Sequence, residues 1–110
     1  MKDEYELRYL PLFYEDLLDK VNYIRKELKN PQAADDLIDD VEKAILSRQP
    51  ICECFEPFPS SRRRDPKYYR IYVKNFIIFY VVIHQDEKKI MEVRRFLYGG
   101  QDRDSLMNKS

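Results

Sequence analysis

Glycine is almost missing from this sequence, with only Gly99 and Gly100 in 110 residues. A Walker-type phosphate loop or a dinucleotide fingerprint needs several glycines at fixed offsets, so neither can be written here. Tryptophan is absent, and histidine is reduced to His84. Cysteine occurs only at Cys52 and Cys54, which are poorly spaced for a mutual disulfide. With His84 they make at most three soft ligands, one short of a closed zinc site. No metal and no cofactor is therefore expected, and the thiols are read as reduced, as in a cytoplasmic protein. The longest apolar run, Phe76 to Ile83, is eight residues, against about 20 for a membrane-spanning helix. The charged stretch after Met1 does not resemble a signal peptide. The expectation is a soluble chain that needs no membrane.

What is present is a core and a strongly charged surface. Hydrophobic residues make up 44% and charged residues 36%, with nine tyrosines and six phenylalanines. A chain of this length fits one domain, residues 1–110. Its net charge is zero, but the halves differ. Residues 1–46 hold 7 Lys/Arg against 12 Asp/Glu, a balance of −5, and residues 47–110 hold 13 against 8, a balance of +5. A basic back half can meet RNA, DNA or an acidic protein segment, or be ordinary surface patterning.

Alternation over Glu4–Leu10 predicts a short strand, which Pro11 ends. Leu12 to Leu28 reads as a helix with Phe13 or Tyr14, Leu17, Leu18, Val21, Ile24 and Leu28 on its apolar stripe. Asn30 and Pro31 are an N-cap and a first helical residue. They open a second helix to about Arg48 with Ala34, Leu37, Ile38, Val41, Ala44 and Ile45 inside. Asp35, Asp36, Asp39, Asp40 and Glu42 read as its solvated face rather than as a catalytic set. Residues 50–67 form a proline-punctuated loop. Three strands follow: Tyr68–Val73, Phe76–Ile83 and Ile90–Tyr98. A Lys74-Asn75 turn and a Gln85–Lys89 loop join them, and the all-apolar middle strand is expected to be covered on both faces. Residues 102–107 suggest a short C-terminal helix. The order is β-α-α-β-β-β, an α+β fold with a helical hairpin packed on a small, mainly antiparallel sheet.

This order, together with Tyr69-Arg70-Ile71-Tyr72-Val73-Lys74-Asn75-Phe76-Ile77-Ile78-Phe79-Tyr80, Val93-Arg94-Arg95-Phe96-Leu97-Tyr98-Gly99 and Asp102, resembles the RelE/ParE superfamily of type II toxin–antitoxin toxins, also called plasmid stabilisation proteins. The resemblance implies a growth-inhibiting toxin neutralised by a cognate antitoxin that wraps it. It leaves two targets open: DNA gyrase, inhibited by binding, or mRNA on the ribosome, cut by an endonuclease. RelE-like nucleases use a basic pair on the second strand, arginines on and after the later strands, and a terminal tyrosine. Arg70 matches the first position, whereas Tyr72, Ile77, Gly100 or Gln101, and Leu106 or Met107 stand at the others. The likeness therefore leans toward the ParE-like, non-enzymatic branch. A nuclease would have to use a different catalytic set: Arg70, Arg94 or Arg95, and Tyr98. A non-toxic interaction domain of the same fold is a third reading.

Arg62, Arg63, Arg64, Lys67, Arg70 and Lys74 face one acid, Asp65, over residues 60–75. Together with Arg103 they are candidates for gripping a target or an antitoxin. Tyr68, Tyr72 and Tyr98 are candidates for stacking or simply for covering a sheet face. Adjacent strand residues point to opposite faces, so one of Arg94 and Arg95 is expected to be structural and the other functional. The antitoxin is expected in the groove between helices and sheet. Oligomeric state is not legible.

Overall fold

The computed structural model describes residues 4–55, 57 and 67–99. Strand β1 spans Glu6–Tyr9. Helix α1 covers Pro11–Asn22 and runs on into a π-helical turn, Tyr23–Glu27. Helix α2 covers Pro31–Arg48 and passes into a 3₁₀ turn, Gln49–Ile51. Strands β2 (Tyr69–Val73), β3 (Phe76–Gln85) and β4 (Lys88–Tyr98) complete the domain. The expected C-terminal helix lies outside the described residues.

The α+β reading holds. Among the described residues one mixed sheet forms in the order β1-β4-β3-β2. The β2-β3-β4 meander is antiparallel, while β1 pairs parallel with β4, from Glu6 opposite Ile90 to Tyr9 opposite Val93. The helical hairpin carries the chain from β1 to β2 at the far edge of the sheet, and the meander then brings β4 back beside β1.

Each local signal acts through identifiable bonds. Pro11 starts α1 after Leu10, whose backbone is extended. The Asn30 side chain accepts from Ala33 N–H at 3.1 Å and caps α2. Lys29 takes φ 53° between the helices, and Asn30 N–H returns to Ile24 O at 3.1 Å. The loop expected over Gln85–Lys89 contracts to Asp86-Glu87, with φ 50° and 66°. That left-handed pair makes a tight hairpin turn whose twist suits antiparallel strands, so Gln85 and Lys88 join the ladder.

Helix α1 departs from its predicted stripe. Phe13 and Val21 are buried, but Leu18 is 55% and Leu28 57% exposed. Leu18 sits about 100° around the helix from Leu17, and the π turn, which inserts an extra residue, carries Leu28 off the stripe. Ile38 of α2 is likewise exposed.

The helices bury Phe13, Val21, Ala34, Leu37, Val41 and Ile45 against one sheet face, where Ile78, Tyr80, Met91, Val93 and Phe96 meet them. The other face buries Tyr68, Ile77, Phe79, Val81 and Leu97 in a second cluster. Strand β3 is thus apolar on both sides, which is why its sequence does not alternate.

Candidate partner- and target-binding surface

The register of β3 against β4 shifts once. Phe79 faces Arg95 and Tyr80 faces Val93, so Arg94 is an extra residue in a β-bulge. A bulge bends its strand and re-aims the neighbouring side chains. Here it sends the two arginines to different partners.

Arg95 is the buried one. Its Nε donates to Asp16 Oδ2 at 2.8 Å and its Nη2 to Oδ1 at 3.0 Å. Phe96 N–H donates to the same Oδ2 at 2.9 Å. Strand β1 stops opposite Val93. Beyond that point the Asp16 carboxylate, one and a half turns into α1, accepts the N–H that another strand would have taken. The Asp16 hydrogen bond holds the Arg95 guanidinium above its ordinary pKa. Arg94 instead donates from Nε to Glu92 Oε1 at 2.8 Å, and Glu92 Oε2 accepts from Arg8 Nη1 at 3.2 Å. Arg94 also reaches Tyr68, with its guanidinium 5.8 Å from the ring centroid.

Of the four nuclease candidates, Arg70 and Arg95 stand opposite the same Phe79 with Arg94 nearby, but Arg95 is engaged elsewhere and Tyr98 stands apart. Arg70 stands opposite Phe79, on the sheet face away from the helices, and Arg94 lies on that face beside Tyr68. Tyr98 stands opposite Phe76, a residue of the helix side, and its ring meets Phe76 edge-on. Arg95 is clamped by Asp16. Among the basic candidates, Lys67 is exposed, and Lys74 reaches Asp40 of α2 at 3.2 Å. Arg62, Arg63, Arg64 and Arg103 lie outside the described residues. Tyr72 is 62% exposed beside Arg70.

Sequence reasoning missed two groupings. Arg48, at the end of α2, donates to Arg70 O at 3.2 Å and to Tyr80 Oη at 3.0 Å, and lies 3.6 Å over the Phe55 ring. Tyr80 Oη donates onward to Cys52 O at 2.6 Å. Burial pushes the Tyr80 phenol up to about 12 against the opposing Arg48 hydrogen bond, and pushes the Cys52 thiol up to about 11. Cys52 is therefore a packed, protonated side chain rather than a nucleophile.

The second grouping joins three segments. Glu53 Oε1 accepts from Tyr5 Oη at 2.9 Å, and Glu53 Oε2 lies 2.8 Å from His84 Nε2. Partial burial raises the Glu53 carboxyl pKa. The hydrogen bonds from His84 and Tyr5 and the nearby charges outweigh it, and the group sits below its ordinary 4.5. A carboxyl depressed by folding contributes stability above its unfolded pKa and loses it as pH falls through the folded value. Glu53→Gln is expected to flatten the fall in melting temperature between about pH 5 and pH 3. Parallel acid limbs for the two proteins would contradict it.

A different surface lies on the helical hairpin. Tyr14 and Leu18, one turn apart on α1, are 49% and 55% exposed, and Ile38 and Leu46 on α2 are 38% and 49% exposed. The Tyr14 ring lies tilted against that of Tyr9, 5.5 Å between centroids, and the Glu42 charge also acts on Tyr9. Glu42 is flanked by Ile38 and Leu46 at one turn each way along α2.

Comparison with known proteins fits this architecture. The family model described as the ParE toxin of the type II toxin–antitoxin system parDE matches residues 7–103. A solved structure titled the chromosomal ParDE TA system from P. aeruginosa superposes with a TM-score of 0.68 at 16% identity, covering 86% of this chain and 95% of that one. No curated protein matches the sequence. The family match spans β1 through β4, the bulge and both arginine partnerships, and on that basis the chain belongs to the ParE toxin family of type II toxin–antitoxin systems.

Proposed function

We propose that this chain arrests growth by binding and inhibiting DNA gyrase in the cytoplasm, and that a cognate antitoxin holds it off. The observation that carries the choice of target is that two of the four nuclease candidates, Arg95 and Tyr98, are withheld from the face that Arg70 and Arg94 share. Phosphodiester cleavage needs a base, an acid and charge stabilisation converging on one phosphate. Here Arg95 is committed to Asp16 and Tyr98 lies on the opposite side of the sheet from Arg70 and Arg94. A binding inhibitor needs no such convergence. Arg62, Arg63, Arg64, Lys67, Lys74 and Arg103 are read as its grip on the target. The exposed Tyr14, Leu18, Ile38 and Leu46 are read as the apolar surface that the antitoxin covers.

Induction of the chain alone in a bacterial host, with separate pulse labelling of DNA and protein synthesis, tests this reading. Early arrest of DNA synthesis with filamentous cells is the expected outcome, relieved when the antitoxin is co-expressed. Early arrest of protein synthesis would transfer the proposal to mRNA cleavage. In that case Arg70→Ala, on the face it shares with Arg94, would be the variant to examine. Unimpaired growth with good soluble expression would leave a non-toxic interaction domain.

A further inference from the structure

Two arginines share one carboxylate on the sheet face away from the helices. Arg8 stands directly opposite Glu92 in the parallel register of β1 and β4, and Arg94 is the bulge residue next to it. The Glu92 side chain is 6% exposed, Arg8 43% and Arg94 23%. The carboxylate is thus sealed beneath two guanidinium groups that open outward. Each guanidinium carries five N–H donors. Among the described residues, Arg8 donates only to Glu92, and Arg94 only to Glu92 and, at 3.5 Å, to Tyr68. Glu92 has already committed both of its oxygens. The cluster holds more donors than acceptors and one more positive charge than negative.

The geometry points to a recognition site for an acidic peptide segment, in which a partner's Asp or Glu carboxylate is held between Arg8 and Arg94 beside Glu92. The incoming group completes a two-by-two ion-pair cluster. Glu92 fixes both guanidinium groups before binding, and the Tyr68 ring backs Arg94, so little side-chain freedom remains to be lost. Charge distribution favours a carboxylate over a nucleic acid. Glu6 is exposed two residues before Arg8, on the same face of β1. Glu6 and Glu92 place negative charge beside the two arginines, so the site suits one isolated anionic group better than a chain that carries a phosphate at every nucleotide. A single carboxylate needs only one guanidinium clamp. The site does not depend on gyrase being the target.

The test follows the arginine Nε–Hε resonances of the full-length protein by NMR during titration with a short blocked peptide that carries a single glutamate among neutral residues. Arg8 and Arg94 are expected to shift together and saturate, while Arg25, in an exposed pair with Asp35, does not saturate. Arg8→Gln leaves the Arg94–Glu92 pair in place and a neutral donor near Glu92 Oε2; it is expected to weaken the peptide about tenfold in protein that remains folded at the titration temperature, as its own melting curve checks. No saturation at Arg8 and Arg94, or unchanged affinity in Arg8→Gln, overturns the proposal. Equal saturation by inorganic phosphate, or tighter binding of a short single-stranded oligonucleotide, overturns the assignment to acidic peptide.

Discussion

Asp16→Ala is expected to cost about 3–5 kcal/mol of folding stability, the range for breaking a buried ion pair from one side. Three bonds converge on this carboxylate: two from Arg95 and one from Phe96 N–H. The Arg95 and Asp16 side chains are 9% and 11% exposed, so water cannot readily replace the lost acceptor. The damage would also reach the backbone, because the Phe96 amide sits where β4 has outrun β1. Asp16→Asn separates the two contributions. It keeps an oxygen for the Phe96 amide and removes the charge that Arg95 faces, so it should lose less than the alanine variant. Urea unfolding of the three proteins measures the differences. A loss below about 1 kcal/mol for Asp16→Ala would place this pair among surface ion pairs and refute its structural role.

Phe96→Ala should cost a similar amount, about 3–5 kcal/mol. Phe96 is fully buried between the sheet and α1. Its ring stacks on Phe76 at 5.0 Å and meets Phe13 edge-on at 6.3 Å. Removing it would open a cavity bounded by rings that cannot collapse without tilting α1. Domains of this size are stable by only about 5–15 kcal/mol, so either substitution consumes a large share. The double variant is expected to fall short of the summed losses by about 0.5–3 kcal/mol, because Asp16 bonds the Phe96 amide itself. Strict additivity would mean that the two residues act independently and would contradict the linkage read from their geometry.

These two residues also mark where sequence reasoning succeeds and where it stops. Phe96 was legible as a strand residue within an apolar segment, because strand patterning is local and repeats every second residue. Asp16 lies off the apolar stripe of α1 and carries no local signal of its role. Its partner lies 79 positions away, and no local pattern encodes that distance. The adjacency of Arg94 and Arg95 allowed the expectation that the pair divides its work. Which arginine goes where depended on the bulge at Phe79/Tyr80, a feature of register and not of residue type. The stripe of α1 was overread for a related reason: Leu18 and Leu28 are apolar and nearly in phase, yet helical flank and π turn leave both exposed.

By itself the sequence determined the element order, the α2 cap at Asn30 and Pro31, the meander and the exclusion of glycine-rich nucleotide loops, and its motifs carried the family likeness. All of these rest on interactions within a few residues, or on composition. Only the tertiary structure decided that β1 pairs parallel with β4, that Arg95 belongs to Asp16 while Arg94 joins Arg8 at Glu92, and that Arg70 and Tyr98 stand on opposite sides of the sheet. The physical reason is that a strand's edge, its face and a buried charge's partners are set by which distant segments come to lie side by side, and a buried charge is tolerated only where such a partner is present.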